Sequence, residues 1–271
     1  MEALANNFSQ TLPGLELSGL VAIIGALALA SLRVGSFFIA SPLFGYRIIP
    51  LQARIIVAFA ISFLIYNKIS MPNIELLAGP KLILIIFVEL VIGISSGLIL
   101  KIMFEAASLA GEKIAASTGL SFAGLVDPES GAQTPVVSQI FSFFMLLTFL
   151  TLNGHLLVLA ILLESYKVLP IGTNGLNLQV IKLGIDAGGL MFKFGALIML
   201  PVVVGITLLN VVIGVVTRSA PSLNLFSFGF PITMMAAFIL LYLCTNTIGG
   251  NFNSVSEVAI DYVARLIEGL R

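Results

Sequence analysis

The stretch LILIIFVELVIGISSGLILKIMF, residues 82–104, decides the fold class of this chain. It is longer than the ~20 mostly apolar residues that a helix needs to cross the hydrocarbon core of a bilayer. Yet Glu89 lies near its middle and Lys101 near its end. A charge that faces lipid at the bilayer centre costs at least ~2.5 kcal/mol. The stretch therefore predicts a membrane helix whose charged side chains face protein or water.

The rest of the 271-residue chain repeats this combination of long apolar segments and internal charges. Hydrophobic residues make up 59% and charged residues 10%, whereas a soluble domain has about half and about a quarter. Mean hydropathy is +1.13. We predict a subunit that buries its flanks in a larger assembly, because charges recur within or at the edge of its apolar segments: Arg33, Glu89, Lys101, Glu105, Glu112, Lys113, Lys193 and Arg218.

The order of apolar segments and breaks predicts an all-α, membrane-associated fold of helical hairpins with broken helices. Hydropathy suggests about six segments. Pro201 should kink the fifth of them. The predicted segments are 17–38, 54–66, 82–104 (continuing to about 115), 136–162 (broken at Asn153-Gly154-His155), 181–216 and 232–248, the last ended by Gly249-Gly250-Asn251.

The tail, residues 254–271, has a different pattern. Apolar residues recur at three- and four-residue spacing, and charges occupy the other faces, which is typical of an amphipathic helix. This pattern predicts a surface or partner-docking helix. Its apolar stripe consists of Val255, Val258, Tyr262, Leu266 and Leu270.

Two stretches rich in Gly, Ser, Thr, Asn and Pro interrupt the apolar pattern. Pro170–Asn177 predicts a loop and the main internal boundary. Ala116–Gln133 predicts irregular backbone, which at membrane depth is tolerated only where it is buried in protein or lines a cavity. Two interpretations of Ala116–Gln133 stay open on physical grounds: a pore-lining or pore-closing element, or an ordinary exposed loop.

The sequence offers no set of residues for covalent chemistry. One histidine and one cysteine cannot build a Cys/His zinc site, and no Gly-rich phosphate loop occurs. We therefore predict no enzyme and no cofactor. Thirteen basic and thirteen acidic residues cancel, so there is no footprint for nucleic acid.

Two polar features of the apolar segments have alternative interpretations. Glu105 and Glu112 lie on one helix face, and a helix surface paired with Lys101 and Lys113 is favoured over an ion or proton site. For His155, a structural role is favoured over a proton relay.

Short motifs, each weak alone, follow one another in a specific order and spacing between Arg33 and Pro231. Together they resemble the FliR family of flagellar type III export-gate subunits, and Ile232-Thr233-Met234-Met235 after Pro231 favours this family over its injectisome relatives. The motifs are Arg33-Val34-Gly35, Pro42, Phe44-Gly45, Ile49-Pro50, Ala110-Gly111-Glu112, Gly119-Leu120-Ser121-Phe122-Ala123, Asp127-Pro128, Asn153-Gly154-His155, Leu169-Pro170, Asn210, Arg218, Ala220-Pro221 and Gly229-Phe230-Pro231.

The resemblance implies an assembly and a place in the cell. A single copy would join several FliP and FliQ subunits in a right-handed helical, conical gate in the bacterial inner membrane, at the flagellar basal body. FlhB would wrap the gate, FlhA would form the neighbouring ring, and unfolded export substrates would pass through. Charges such as Arg33, Glu89 and Lys193 would then face other subunits rather than membrane lipid.

The resemblance also implies a division of the chain and a plug. Residues 1–175 would fold like FliP, with a plug loop near 115–126, and residues 176–271 would form a FliQ-like hairpin with the amphipathic tail. The implied plug residues are Gly119, Leu120, Ser121, Phe122, Ala123 and Gly124.

Three other classes of protein stay open. Broken helices with internal charges also suit a secondary transporter, although no inverted repeat is evident. An intramembrane enzyme is disfavoured by the missing catalytic set. A scaffold that seeds assembly and conducts nothing has the same sequence features as a gate subunit.

Overall fold

The computed structural model of this chain describes residues 17–45, 49–65, 81–119, 135–173, 178–220 and 228–270. These ranges contain eight helices and no strand, which confirms the predicted all-α fold. Of the implied plug residues, only Gly119 is among them; Leu120, Ser121, Phe122, Ala123 and Gly124 lie outside the described residues. The helices are α1 (Leu17–Ala40), α2 (Leu51–Ile65), α3 (Lys81–Thr118), α4 (Val136–Thr151), α5 (Gly154–Val168), α6 (Gln179–Ser219), α7 (Phe230–Leu243) and α8 (Thr245–Gly269).

Two of the helices are longer than a bilayer requires. α3 has 38 residues and α6 has 41. α3 continues past the apolar stretch because alanines, the best helix formers, are frequent between Phe104 and Thr118. α6 passes through Pro201 without ending, and the kink there stays a prediction.

Three helices are long and apolar enough to cross a membrane: Ile23–Ala40 within α1, α3 and α6. The number rises to five if α4 with α5, and α7 with α8, each form one broken span. The remaining predicted segment corresponds to α2, of which 15 residues are described, and the total of about six stays a prediction.

The break between α4 and α5 falls where it was predicted. Asn153 has a positive φ of 54°, which is uncommon for a residue other than glycine and is best tolerated by asparagine and aspartate. A side chain at Gly154 would overlap the ring of Phe149. Both residues thus fit the turn for reasons of backbone shape and space.

The predicted end of the last apolar segment is wrong. The break lies at Cys244, where α7 and α8 are bent by 64°, and α8 then runs through Gly249, Gly250 and Asn251. A Cβ atom at either glycine would meet open space, so no close packing requires a glycine there. Ile248 and Phe252 are buried on either side, and their packing outweighs the low helix propensity of glycine.

The tail helix therefore begins at Thr245 rather than at residue 254, and its buried face is rotated from the predicted stripe. Val255 and Leu266 are fully buried as expected, but Val258 and Tyr262 are only half-buried. The centre of the face is instead formed by Ala259 and Val263, which have no exposure. This face packs on the rest of the chain, so α8 is not a free docking surface along that stripe.

Packing divides the chain into two compact units. Unit 1 comprises Met1–Leu100, Val158–Gly184 and Val263–Arg271; unit 2 comprises Lys101–Leu157 and Ile185–Tyr262. Each unit combines segments that are far apart in sequence. The division at residue 175 into a FliP-like and a FliQ-like part stays a prediction.

Glycines set the close helix contacts inside each unit. In unit 1, a Cβ at Gly93 of α3 would overlap the Ser36 hydroxyl and the Arg33 carbonyl of α1. In unit 2, a Cβ at Gly111 of α3 would lie 2.5 Å from the Cα of Ser138 in α4. Small residues allow membrane helices to approach this closely. These contacts position the two polar clusters described next.

Candidate functional site

Unit 1 contains a charged cluster with no access to solvent. Arg33 of α1 is 0% exposed and Glu89 of α3 is 1% exposed. Arg33 Nε donates to Glu89 Oε2 at 2.8 Å, and Nη2 donates to Oε1 at 3.0 Å. This bidentate geometry is the strongest form of an arginine–carboxylate pair. The two charges therefore neutralise each other inside one unit.

Residues of α5 and the turn after it complete this cluster. Arg33 Nη1 donates to Ser165 Oγ at 2.8 Å, and Nη2 donates to the Leu169 carbonyl at 2.9 Å. The guanidinium carbon lies 4.2 Å from the centre of the Tyr166 ring, a cation–π distance. The Tyr166 hydroxyl in turn donates to the Ala30 carbonyl of α1 at 2.6 Å. Arg33 thus joins α1, α3 and α5.

The other charges singled out from the sequence lie at or near the surface of the chain. Lys101, Glu105, Lys193 and Arg218 are exposed, and Glu112 is half-buried. Among the described residues, no ion pair joins Lys101 to Glu105. A role for these five charges at contacts with other subunits stays a prediction.

Unit 2 contains a polar joint at the C-terminal end of α3, which we call the α3 joint; it consists of residues 116–119, Asn210, Gly229, Phe230 and Thr233. Gly119 N donates to the Ala116 carbonyl at 3.3 Å. Gly119 has φ +83°, a conformation that side chains with a Cβ rarely adopt. A Cβ there would also overlap the Phe230 ring. Glycine is therefore required at this position for two reasons, the positive φ and the lack of space for a Cβ atom.

Two other helices supply partners for the last carbonyls of α3. Asn210 Nδ2 of α6 donates to the Ser117 carbonyl at 3.0 Å. The Thr233 hydroxyl of α7 lies 3.1 Å from the Thr118 carbonyl and 3.0 Å from the Phe230 carbonyl. The last four carbonyls of a helix have no partner within the helix, so these side chains stabilise its end. The α3 C-terminus also meets the α7 N-terminus, and their partial charges are opposite.

A half-open cavity of about 300 Å³ lies at the α3 joint. Its wall mixes hydroxyl, amide and backbone groups with apolar surface that includes the Phe230 ring. Within the described ranges, no three His, Cys, Asp or Glu side chains are placed to hold a metal ion. The lining residues are Ala116, Ser117, Thr118, Gly119, Asn210, Gly229, Phe230 and Thr233.

Comparison with known proteins decides the family. Residues 24–258 match the model for bacterial export proteins, family 1. The flagellar biosynthetic protein FliR of Escherichia coli K12 is 33% identical over 210 residues, which cover 78% of this chain and 80% of that protein. The chain belongs to the FliR family. The FliR proteins of Bacillus subtilis 168 and Aquifex aeolicus VF5 are 29% and 31% identical, covering 93% and 86% of this chain and 98% and 91% of their own lengths.

As a FliR-family chain, this protein is an export protein of flagellar biosynthesis, and its long apolar helices mark it as a membrane protein. Several motifs that pointed to FliR meet in the two polar clusters. Arg33 contacts Leu169 in unit 1, and Gly119 contacts Phe230 in unit 2. Separate motifs of the linear sequence are therefore parts of the same sites.

Sequence reasoning missed three residues of these FliR clusters. Ser165 and Tyr166 contact Arg33, and Thr233 contacts the end of α3. Thr233 stands out as a polar residue within an apolar run, but Ser165 and Tyr166 lie in the polar run Glu164–Lys167 and carry no such signal. The sequence does not identify the carbonyl or charge that each one meets.

Proposed function

We propose that this FliR-family chain forms part of the protein-conducting channel of the flagellar type III export gate and supplies the plug that closes it. Residues 119–124 close the pore at rest by steric obstruction and move aside during export. The chain performs no covalent chemistry in this role. The gate is proposed to lie in the bacterial inner membrane, within the flagellar basal body.

The α3 joint carries this proposal. A helix of 38 largely apolar residues ends at a cluster of capped backbone carbonyls, a glycine with positive φ and a cavity whose wall is partly polar. Polar backbone surrounded by apolar helices is stable where it is buried in protein or lines an aqueous space. The implied plug residues begin at this joint, with Gly119.

The proposed partners are FliP, FliQ, FlhB and FlhA, with unfolded export substrates as the cargo. Support comes from the apolar surface that the chain leaves uncovered. On α6, Ile185, Leu208 and Val211 are each more than 60% exposed. Exposed apolar surface of this extent indicates a protein or membrane contact. Neighbouring subunits would cover part of it and lipid the remainder.

Substitution in the plug tests the proposal. We expect Gly119→Val to raise ion leak through the assembled gate and to alter export, because a β-branched residue cannot adopt φ +83° beside the Phe230 ring. Phe122→Ala should also raise the leak by removing bulk from the plug. Ion leak is measured as membrane depolarisation in cells that express the full set of gate subunits, and export as secreted flagellar protein.

Matched controls separate a plug effect from general damage. Gly189→Val replaces a glycine with open space around its Cβ position, and Phe143→Ala removes an exposed phenylalanine of α4. Neither control should raise the leak. If both plug variants assemble normally and change neither export nor leak, the chain is a scaffold and the plug proposal is wrong. Transport of a small solute by the purified chain in liposomes would instead support a transporter.

A further inference from the structure

The C-terminal end of α3 is fixed both by its own residues and by side chains from other helices. Ser117 Oγ and Thr118 Oγ1 donate to the Ile114 and Ala115 carbonyls, whereas the partners of the Ser117 and Thr118 carbonyls come from α6 and α7. Thr118 is 1% exposed and Thr233 is 3% exposed, so the carbonyl and the hydroxyl meet away from solvent. Asn210 is an exposed residue within the apolar run of α6. Its amide donates to the Ser117 carbonyl of α3.

We propose that Asn210 and Thr233 are positioning residues that hold the last turn of α3 and thereby set the resting position of the plug that follows it. This inference rests on the proposed plug function. It gives α6 and α7 a role in gating, because their side chains Asn210 and Thr233 hold the helix end from which the plug begins. Phe230 also helps to position this helix end, since its ring occupies the space that a Gly119 side chain would fill.

The hydrogen bond from the Thr233 hydroxyl to the end of α3 can be broken at low cost. A hydroxyl has one proton, and two carbonyls compete for it, Thr118 at 3.1 Å and Phe230 at 3.0 Å. When the end of α3 moves away, the hydroxyl donates fully to Phe230 within its own helix and is not left unpaired. The loss of one contact is therefore partly offset by the other. A device of this kind suits a plug that must open and close repeatedly.

Amide hydrogen exchange in the full-length chain tests the holding role directly. We expect Asn210→Leu and Thr233→Val each to speed exchange of the amides in residues 115–119 by roughly 2- to 12-fold, the factor that corresponds to the loss of one net hydrogen bond. Thr233→Ser retains the hydroxyl and should exchange like the parent. Unchanged exchange in both Asn210→Leu and Thr233→Val would overturn the inference.

Two controls remove the same chemical groups from residues that do not line the α3 joint. Within the described part of the chain, the Thr207 hydroxyl bonds the Val203 carbonyl and the Asn251 amide bonds the Thr247 carbonyl, each inside its own helix. Thr207→Val and Asn251→Leu should leave exchange in residues 115–119 unchanged. Faster exchange in α8 as well would mean that a variant has lost its fold, and Thr233→Ala then replaces Thr233→Val in the comparison.

Ion leak of the assembled gate separates this inference from the proposed function. Leak in Thr233→Val but not in Thr233→Ser, together with faster exchange, supports the inference. Leak in Gly119→Val but not in Thr233→Val or Asn210→Leu overturns it while the plug function stands. If none of these variants leaks, the plug function itself is wrong, and the inference about its resting position is wrong with it.

Discussion

Arg33 presents five N–H groups to a space enclosed by three helices, and it donates four hydrogen bonds to residues of the described chain. Glu89 supplies the only carboxylate among these partners. A buried ion pair is weak evidence for stability, because desolvation offsets much of the Coulomb attraction. Losing one partner is different, since a buried charge is then left without compensation.

Replacing one partner of this pair should therefore be far more damaging than replacing both. We expect Arg33→Leu or Glu89→Leu alone to lower the free energy of unfolding by ~3–5 kcal/mol. The double variant should recover most of that loss, because two apolar side chains leave no buried charge. Denaturant unfolding of the chain in detergent measures the difference.

Lys193→Leu is the control for removal of a charge from the surface. Lys193 is exposed on α6, so its loss should change the free energy of unfolding by less than ~0.5 kcal/mol. A double variant less stable than either single variant would contradict the argument. It would show that the hydrogen bonds of Arg33 to Ser165 and Leu169 matter more than its charge pairing.

At the scale of elements, glycines fall into two groups that sequence alone does not separate. Gly93 and Gly97 of α3 lie against the backbone of α1, and a Cβ at either would overlap it. In α6, a Cβ atom added at Gly188, Gly189 or Gly214 would have no neighbouring atom within 4 Å. The first pair allows helices to approach, whereas the others only lower helix propensity.

Alanine substitution should have opposite effects in the two groups. We expect Gly93→Ala to destabilise the chain by ~1–3 kcal/mol, because the Arg33 carbonyl it meets is backbone and cannot rotate away. Gly189→Ala should stabilise the chain by ~0.4–1 kcal/mol through its higher helix propensity. Thermal unfolding of both variants in one detergent gives the comparison, and a stabilised Gly93→Ala would show that α1 and α3 do not pack this closely.

The helices themselves were largely predictable, because long apolar runs and Pro/Gly breaks determine where a membrane chain can be helical. The break after Thr151 follows from the Asn153-Gly154 pair, whose backbone preferences are local. The break at Cys244 and the passage of α8 through Gly249 and Gly250 were not predictable, since packing of Ile248 and Phe252 decides them. The partner of Glu89 could not be read from the sequence either, because 56 residues separate it from Arg33.

At the scale of the whole molecule, large apolar side chains remain uncovered along α6 and α7. On α7, Met235, Phe238 and Leu243 are each more than 65% exposed, as is the aromatic Tyr242 at 80%. A membrane protein that is complete by itself would present such side chains to lipid alone. The exposed charges Lys101, Glu105 and Lys193 in the same chain favour a protein environment over lipid for part of this surface.

The native mass of the chain tests whether partner proteins cover this apolar surface. We expect the tagged chain, extracted in mild detergent after co-expression with its FliP and FliQ counterparts, to migrate as a discrete complex far heavier than 28.7 kDa. The complex should contain one copy of this chain and several of each partner. The same chain expressed alone is the control. A monomer or homo-oligomer in both cases would contradict the proposed assembly.

The partners of Arg33 also constrain how the chain is made. They follow it by 56, 132 and 136 residues, so the last of them, Leu169, emerges from the ribosome long after the arginine. At ~5–20 residues per second, the delay is roughly 7–27 s. Glu89 follows sooner, after roughly 3–11 s at the same rate, and until then the guanidinium lacks its carboxylate partner, at a cost of ~2.5 kcal/mol or more in lipid. α1 therefore reaches its final environment late: it waits at the headgroups or inside the insertion machinery until Glu89, and then the residues around Leu169, have been synthesised.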